Sequence, residues 1–479
     1  MGMSSELPEG FKEKFENMVV TAMARECIPG LSIALVKDGR IIYARGFGAR
    51  NLKENLPATP HTLYGIGSCT KSFTALAVMQ LVEQGKLDVQ DPVKNYLPFK
   101  LGSDEKPIRI HHLLTHSSGI PNLGTAEIWF DRVMGRDETG IPLSSWDDIF
   151  LHVNGAQEEI AAEPGKRYFY LNIGFDLLGQ IVERVSKMPY EEYVKEKILK
   201  PLKMNRTTFL EEDYEKYPDV MTAYLKEHKE EKIKLTPSKY YFTYDHADGG
   251  LLSSVMELTN YLLANINGGV FEGTRILDAT LMEEMHKIHI ETEISRRGYG
   301  RYGKTGYGYG WAIMEDFLGH KLVRHGGSIG VSSANLMFIP DLKIGVALGA
   351  NVDDHPEQLL RSALAALMGK DPEKEIPYFQ IEKKLNMLAG EYATYKGINK
   401  VSIEKKGGML YLEYKRWDME LRAPLIPETE KLENYKFYII SGPGSKTPVE
   451  FTADPSGKID LYVERDRLHK IGGKTSISE

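Results

Sequence analysis

The chain has 479 residues, 42% of them hydrophobic and 27% charged, with a formal net charge of −7. That length calls for more than one core, and the modest negative charge argues against nucleic acid as a partner. The two cysteines, Cys27 and Cys69, cannot build a disulfide framework, so a reducing compartment is expected.

The first residues carry no basic segment followed by an apolar one, and no later stretch reaches ~18 uninterrupted apolar residues. A soluble cytoplasmic protein without membrane contact is expected. A helical pattern spans about 10–26. Two strands then run from Leu31 to Val36 and from Arg40 to Phe47, joined at Lys37-Asp38-Gly39, an Asp-Gly hairpin signal.

Gly65-Ile66-Gly67-Ser68-Cys69-Thr70-Lys71 follows and opens a long helical run that Gly85 stops. Positions i and i+3 stack on one helical face, so Lys71 can reach the Ser68 hydroxyl. The free N–H groups of a helix start suit an oxyanion forming beside Ser68. The same Ser-x-x-Lys spacing at Ser103/Lys106 falls in a charged turn, and at Ser402/Lys405 in an alternating strand. Only the copy at Ser68 has helical context. Taken alone, the tetrad reads more readily as a helix cap with a solvated lysine, and the other motifs have to overturn that.

From about 101 to 250 strand signals thin out, which predicts a helical insertion with helices near 146–153, 174–185 and 190–199. Strand patterns return at Gly310–Glu315, Lys321–His325, Ser333–Ile339 and Lys343–Ala350, with a helix at Glu357–Leu367. Strands at both ends with helices between predict an α/β (α+β) domain, an antiparallel sheet packed by terminal helices, over 1–370. The charged linker Lys370–Glu375 marks its end. Beyond it, short alternating strands at 400–404, 409–414, 419–423, 435–440, 449–452 and 459–463 predict a small antiparallel barrel or half-barrel over 371–479.

Three short elements stand in order: Ser68-x-x-Lys71, Tyr170-Leu171-Asn172 and His325-Gly326-Gly327. With His112-Leu113-Leu114-Thr115-His116-Ser117-Ser118-Gly119, Asp248-Gly249-Gly250-Leu251 and Tyr307-Gly308-Tyr309-Gly310-Trp311, they resemble serine hydrolases of the class C β-lactamase, D-aminopeptidase and esterase (CubicO-type) group. The resemblance covers about 10–368. A C-terminal lipocalin-like barrel occurs in some peptidases of this group.

The resemblance implies that Ser68 attacks an acyl carbon and forms an acyl-enzyme later hydrolysed by water. Either Lys71 or Tyr170 would take the hydroxyl proton. For Lys71 to do so, burial and positive neighbours must lower its pKa by about three units, roughly 4 kcal/mol. Asn172 would orient Lys71 and the substrate amide. The backbone N–H groups of Ser68 and Ser328 would form the oxyanion hole, with Gly326 and Gly327 keeping an edge strand bare for an extended substrate. His325 stands where penicillin-binding relatives carry lysine, which favours peptides or esters over β-lactams.

Other patterns compete. Lys304-Thr305-Gly306 spells the lysine motif, and Gly298 to Thr305 spells a Walker A and, with Gly300 and Gly303, a Gly-x-Gly-x-x-Gly, yet a strand pattern follows where phosphate binding needs a helix. A lid over the cleft suits that glycine-rich loop better. His111, His112 and His116 have metal-like spacing without a further ligand, and Cys69 reads as a buried small residue. The expectation is a serine peptidase or amidase acting on small peptides, without metal or cofactor, and a homo-oligomer assembled through its C-terminal domain. A carboxylesterase and a non-catalytic binding protein are the alternatives.

Overall fold

The computed structural model describes residues 7–214, 216–229, 232–238, 240, 246–292, 303–416, 419–429 and 431–472. Two compact units divide the chain, one closing at Lys370 and one opening at Asp371.

In the first unit, Asp38 (φ 49°) and Gly39 (φ 81°) both take left-handed backbone, as a two-residue type I′ hairpin demands. They join strands Gly30–Lys37 and Arg40–Asn51. Gly30–Lys37 then pairs on its other side with Ile344–Ala350, Leu31 opposite Ala350. The first and last strands of the unit therefore meet in mid-sheet. The sheet runs in the spatial order Ile290–Glu291, Thr305–Tyr307, Ala312–Phe317, His320–Ser328, Ser333–Ile339, Ile344–Ala350, Gly30–Lys37, Arg40–Asn51 and Leu56–Pro57, antiparallel throughout.

Both faces of the sheet are covered, so Gly30–Lys37 is buried along its whole length. Ile33 and Leu35 enter a core with Phe15 and Val19 of helix Phe11–Glu26 and Leu360 and Leu364 of helix Glu357–Leu367. Ala34 and Val36 enter the other core, with Phe73, Leu76 and Leu262. There the helix Thr70–Glu83 is buried at every residue from Thr70 to Leu81, and Phe73 stacks on Tyr261 with centroids 3.8 Å apart. A helix buried all round is held by packing on every side. The start of this helix is consequently a rigid place to mount a nucleophile.

Two expectations need correction here. Residues 101–250 are not wholly helical: beside helices such as Trp146–Asn154 and Asn172–Ser186 they include a hairpin, Ala223–Lys229 with Lys232–Ser238. Its first strand groups apolar residues before charged ones, and Pro237 cuts short the Lys-Ile-Lys-Leu alternation of its second, so the period-two signal is weak. The strand His320–Ser328 also lies inside the sheet, not at its edge. Its neighbour Ala312–Phe317 nevertheless begins with Ala312 opposite Arg324, so 325–328 pair on one side only, with Ser333–Leu336. The free edge exists, but locally.

The second unit opens with a turn of helix, Pro372–Glu375, where a plain linker was expected, capped by the Asp371 side chain. A helix the alternating pattern did not foreshadow follows, Pro377–Leu388, burying Ile381, Leu385 and Leu388 along one face. Eight antiparallel strands then form a closed barrel. Six were legible in sequence. The others, Gly390–Ala393 and Asp466–Gly472, pair with each other, Tyr392 opposite Lys470, and so remove both open edges. Val401, Ile403, Leu412, Phe437, Phe451 and Leu461 belong to its apolar core. No helix among the described residues is long and apolar enough to cross a membrane.

Candidate active site

Tyr64–Gly65 pairs with Leu252–Ser253, and the chain then turns through Gly67 (φ 50°) into a 3₁₀ turn, Gly67–Cys69, that runs into the buried helix. Lys71 lies one turn beyond Ser68, and its Nζ is 3.0 Å from Ser68 Oγ. It is fully buried and also donates to the Asp248 carbonyl at 2.8 Å, with the Asp248 carboxylate at 3.5 Å. Tyr170 packs its ring 5.0 Å from the same Nζ, and its phenol engages the Ser68 and Lys71 side chains. Ser68, Lys71 and Tyr170 thus come together around one hydroxyl.

His116 holds Tyr170 in place. Its Nδ1 accepts from the Leu171 N–H at 3.0 Å, its carbonyl accepts from the Phe169 N–H at 2.8 Å, and its ring lies 4.2 Å from the Tyr170 ring. The other two histidines of the metal-like spacing have different partners. His112 Nδ1 accepts from the Arg109 N–H at 3.0 Å, and His111 Nδ1 bonds the Tyr309 hydroxyl at 2.9 Å. Caps and packing hold these imidazoles apart, and His116 Nε2 has no hydrogen-bond partner among the described residues.

The charges around Lys71 differ from the expected ones. Burial works against its charge, but the carboxylates of Asp248 and Asp176 and the Tyr170 phenol outweigh it, and its pKa lies above the ordinary lysine value. The nearby imidazoles do not push it down, because burial keeps them neutral: His325 falls to about 3 and His116 lies well below the usual histidine range. Burial raises Tyr170 above the ordinary phenol value, with Lys71 and Ser68 pulling the other way. In the resting site both partners of Ser68 therefore hold their protons.

Asn172 opens the helix Asn172–Ser186, but Lys71 spends its hydrogen bonds on Ser68 and Asp248, and Asn172 Oδ1 has no hydrogen-bond partner among the described residues. Among the described contacts Lys71 meets Asp248. Motif matching noted Asp248 without assigning it a task, since its role depends on a fold contact spanning 177 residues.

Backbone approach builds the other wall. A Cβ on Gly327 would lie 2.0 Å from the Ile66 carbonyl oxygen and 2.6 Å from Ser68 N, and one on Gly67 only 2.5 Å from Ser328 N. Only glycine fits either position, and the backbones carrying the Ser68 and Ser328 N–H groups lie against each other. Ser328 Oγ donates to the Asp353 carboxylate. His325 is buried, with Nδ1 bonded to the Gly326 carbonyl at 2.8 Å and Nε2 to the Tyr307 hydroxyl at 2.7 Å. Those bonds fit one neutral tautomer, Nδ1–H donating and Nε2 accepting. Ser68, Tyr168, Tyr170, Tyr307, His325 and Ser328 are among the residues lining a cleft of 340 Å³.

The competing motifs go elsewhere. Lys304 is exposed and paired with Glu291 at 2.6 Å, and Thr305–Tyr307 continues as a strand. Gly298 and Gly300, and with them most of the expected lid, lie outside the described residues. Cys69 is buried, its thiol aimed at the His325 carbonyl (3.2 Å) and pushed up in pKa by burial.

A two-sided sheet with a Ser-x-x-Lys helix start at the free end of one strand defines the β-lactamase/transpeptidase-like fold of serine hydrolases, joined here to a closed all-β barrel. The chain belongs to the Beta-lactamase family, whose model matches residues 15–369, and residues 372–469 match the model described as the Pab87 octamerisation domain. The structure of the octameric penicillin-binding protein homologue from Pyrococcus abyssi is similar over 96% of this chain and 100% of that one, with a TM-score of 0.86 and 41% identity. Protein flp of Staphylococcus aureus (strain MW2) is 26% identical over 71% of this chain, which spans 63% of that protein's length. Penicillin-binding protein 4* of Bacillus subtilis (strain 168) is 25% identical over 83% of this chain and 86% of its own.

Proposed function

We propose that the chain is a serine peptidase or amidase that hydrolyses small peptides through an acyl-enzyme on Ser68. The observation that carries this is the one-sided strand end 325–328 lying against the start of the Ser68 helix. An extended substrate can pair along it and present a carbonyl to both N–H groups and the hydroxyl at once.

Lys71 and Tyr170 act as one proton-exchanging pair, since groups this close titrate together. The form carrying one proton fewer than the resting site accepts the Ser68 proton as Oγ bonds the carbonyl carbon. The resulting oxyanion rests on the N–H groups of Ser68 and Ser328, each donor of this kind being worth about 3–4 kcal/mol. Collapse breaks the C–N bond, and the pair returns the proton to the leaving amine. Water then repeats the sequence on the ester. Because His325 is neutral, it offers no fixed charge to a substrate carboxylate, which favours peptide over β-lactam.

The octameric relative and the match over 372–469 support a homo-oligomer assembled through the barrel. The two free cysteines suit a reducing compartment such as the cytoplasm.

The test is a fluorophosphonate probe followed by a substrate panel. An adduct on Ser68 that Ser68→Ala abolishes is expected, and its absence sinks the catalytic role. Turnover of peptide amides, D-residue peptides included, supports the peptidase, whereas turnover of p-nitrophenyl esters alone makes the protein a carboxylesterase.

A further inference from the structure

Behind Ser68 lies a buried charged chain that nucleophilic attack does not itself require. Lys71 is fully buried, and its Nζ donates to the Asp248 carbonyl at 2.8 Å with Asp248 Oδ2 at 3.5 Å. Asp248 is itself buried and donates its backbone N–H to Asp176 Oδ1 at 3.2 Å. Asp248 Oδ1 has no hydrogen-bond partner among the described residues. One carboxylate thus meets a buried ammonium and a second lies behind it, where burying a charge costs several kcal/mol. A neutral acceptor could satisfy Lys71 as a hydrogen-bond donor, but it would leave the buried charge uncompensated. What a neutral acceptor cannot do is hold its charge.

We propose that Asp248 is a positioning residue that fixes Lys71 against Ser68 and sets the pH window in which the Lys71–Tyr170 pair holds the one proton catalysis needs. This rests on the hydrolase reading above. The groups facing Lys71 from every packed element are Ser68 and Cys69 on its own helix, Tyr170 and Asp176 around the start of the Asn172 helix, His116, His325 and Asp248. The imidazoles are neutral, which leaves Asp248 and Asp176 as the acidic groups; burial raises Asp248 while its contact with Lys71 pulls it down, so the Lys71–Asp248 contact is what retains the carboxylate charge. Negative charge beside the pair favours its protonated forms, and so moves both limbs of the activity profile upward in pH. Asp248, which touches Lys71 directly, exerts the larger effect.

The experiment measures kcat and KM against pH for the full chain and its Asp248→Asn and Asp248→Glu variants, on a substrate from the panel above. Asp248→Asn is expected to move both limbs down by one pH unit or more. Its kcat at the wild-type optimum should fall about tenfold with KM changed less than twofold, and Asp248→Glu should recover part of the loss. A profile that superimposes on the wild type overturns the proposal. Should Asp248→Asn fail to fold, Asp176→Asn is expected to shift the profile the same way by less, and no shift counts against the proposal.

Thermal unfolding of Asp248→Asn, Lys71→Met and the double variant gives a readout independent of turnover. The double variant is expected to melt above the sum of the single losses, and additive losses overturn the pairing. Wild-type protein that neither turns over nor labels at Ser68 would sink the hydrolase reading, while the thermal cycle would still decide the pair.

Discussion

The hydrolase unit and the barrel fill their interiors with different material. In the barrel the core cluster is apolar, and among its described residues Asp460 is the one buried charged side chain, bound by Arg467 and His469. The hydrolase unit buries Lys71, Asp176, Asp248, His116, His286, His325 and Arg361. Each of those costs stability that an apolar residue would supply. The barrel's interior is explained by burial alone. The hydrolase unit departs from that rule most densely around Ser68, and such departures concentrate where chemistry requires charge at a fixed place.

The contrast can be broken most sharply at Ser68. Ser68→Ala is expected to lower kcat by 10³-fold or more while leaving thermal stability nearly unchanged, because it removes one oxygen at the cleft and no core packing. A melt displaced by many degrees would show that the site is structural after all. In the barrel the balance should reverse. Phe451→Ala removes a buried ring that packs on Phe437 and Tyr392, and is expected to cost about 3–5 kcal/mol, read by denaturant or thermal unfolding.

Acid should separate the two units next. His325 and His286 are held to about 3 and His111 and His112 to about 4, in each case chiefly by burial. A histidine with a depressed folded pKa binds fewer protons folded than unfolded. Its contribution is therefore complete above pH 6.5 and declines as pH falls towards the folded value, by about 1.4 kcal/mol per pH unit for each group. The barrel contains a single histidine, His469, and its buried Asp460 is held below the usual carboxylate range, so that contribution fades only nearer pH 4 and below. Calorimetry between pH 7 and 4 is expected to show the hydrolase unit losing stability first. Simultaneous loss in both units would remove the distinction.

The smallest effect is expected at the mouth of the cleft. Asp353→Asn keeps an acceptor for Ser328 Oγ while removing the charge, and should change kcat/KM by less than about fivefold, roughly 1 kcal/mol. A larger loss would mean that Asp353 contacts substrate.

Much of this was legible in the chain, and the reason is locality. The Asp38-Gly39 turn, the helix that Gly85 stops (φ 65°) and the reach from Lys71 to Ser68 are decided within a few residues by sterics and helical period. Six barrel strands were visible because alternation marks a surface with one apolar face. The hairpin at 223–238 escaped because its first strand groups apolar residues before charged ones and Pro237 cuts short the alternation of its second; the barrel's end strands escaped because Gly390–Ala393 has only four residues and the two close the barrel by pairing with each other.

Ser68-x-x-Lys71 therefore determined by itself a hydroxyl and an amine at hydrogen-bonding distance on a helix start. Tertiary structure alone decided what that amine is. The carboxylates of Asp248 and Asp176 arrive from elsewhere in the chain and make Lys71 a retained ammonium, where sequence reasoning had asked for a depressed pKa. It also decided that an interior strand would be bare at 325–328, because its neighbour begins at Ala312, opposite Arg324, and so stops short of it. Spacing along a helix belongs to the residues that make it. Charge state and strand coverage belong to the field and the neighbours that only the folded chain brings together.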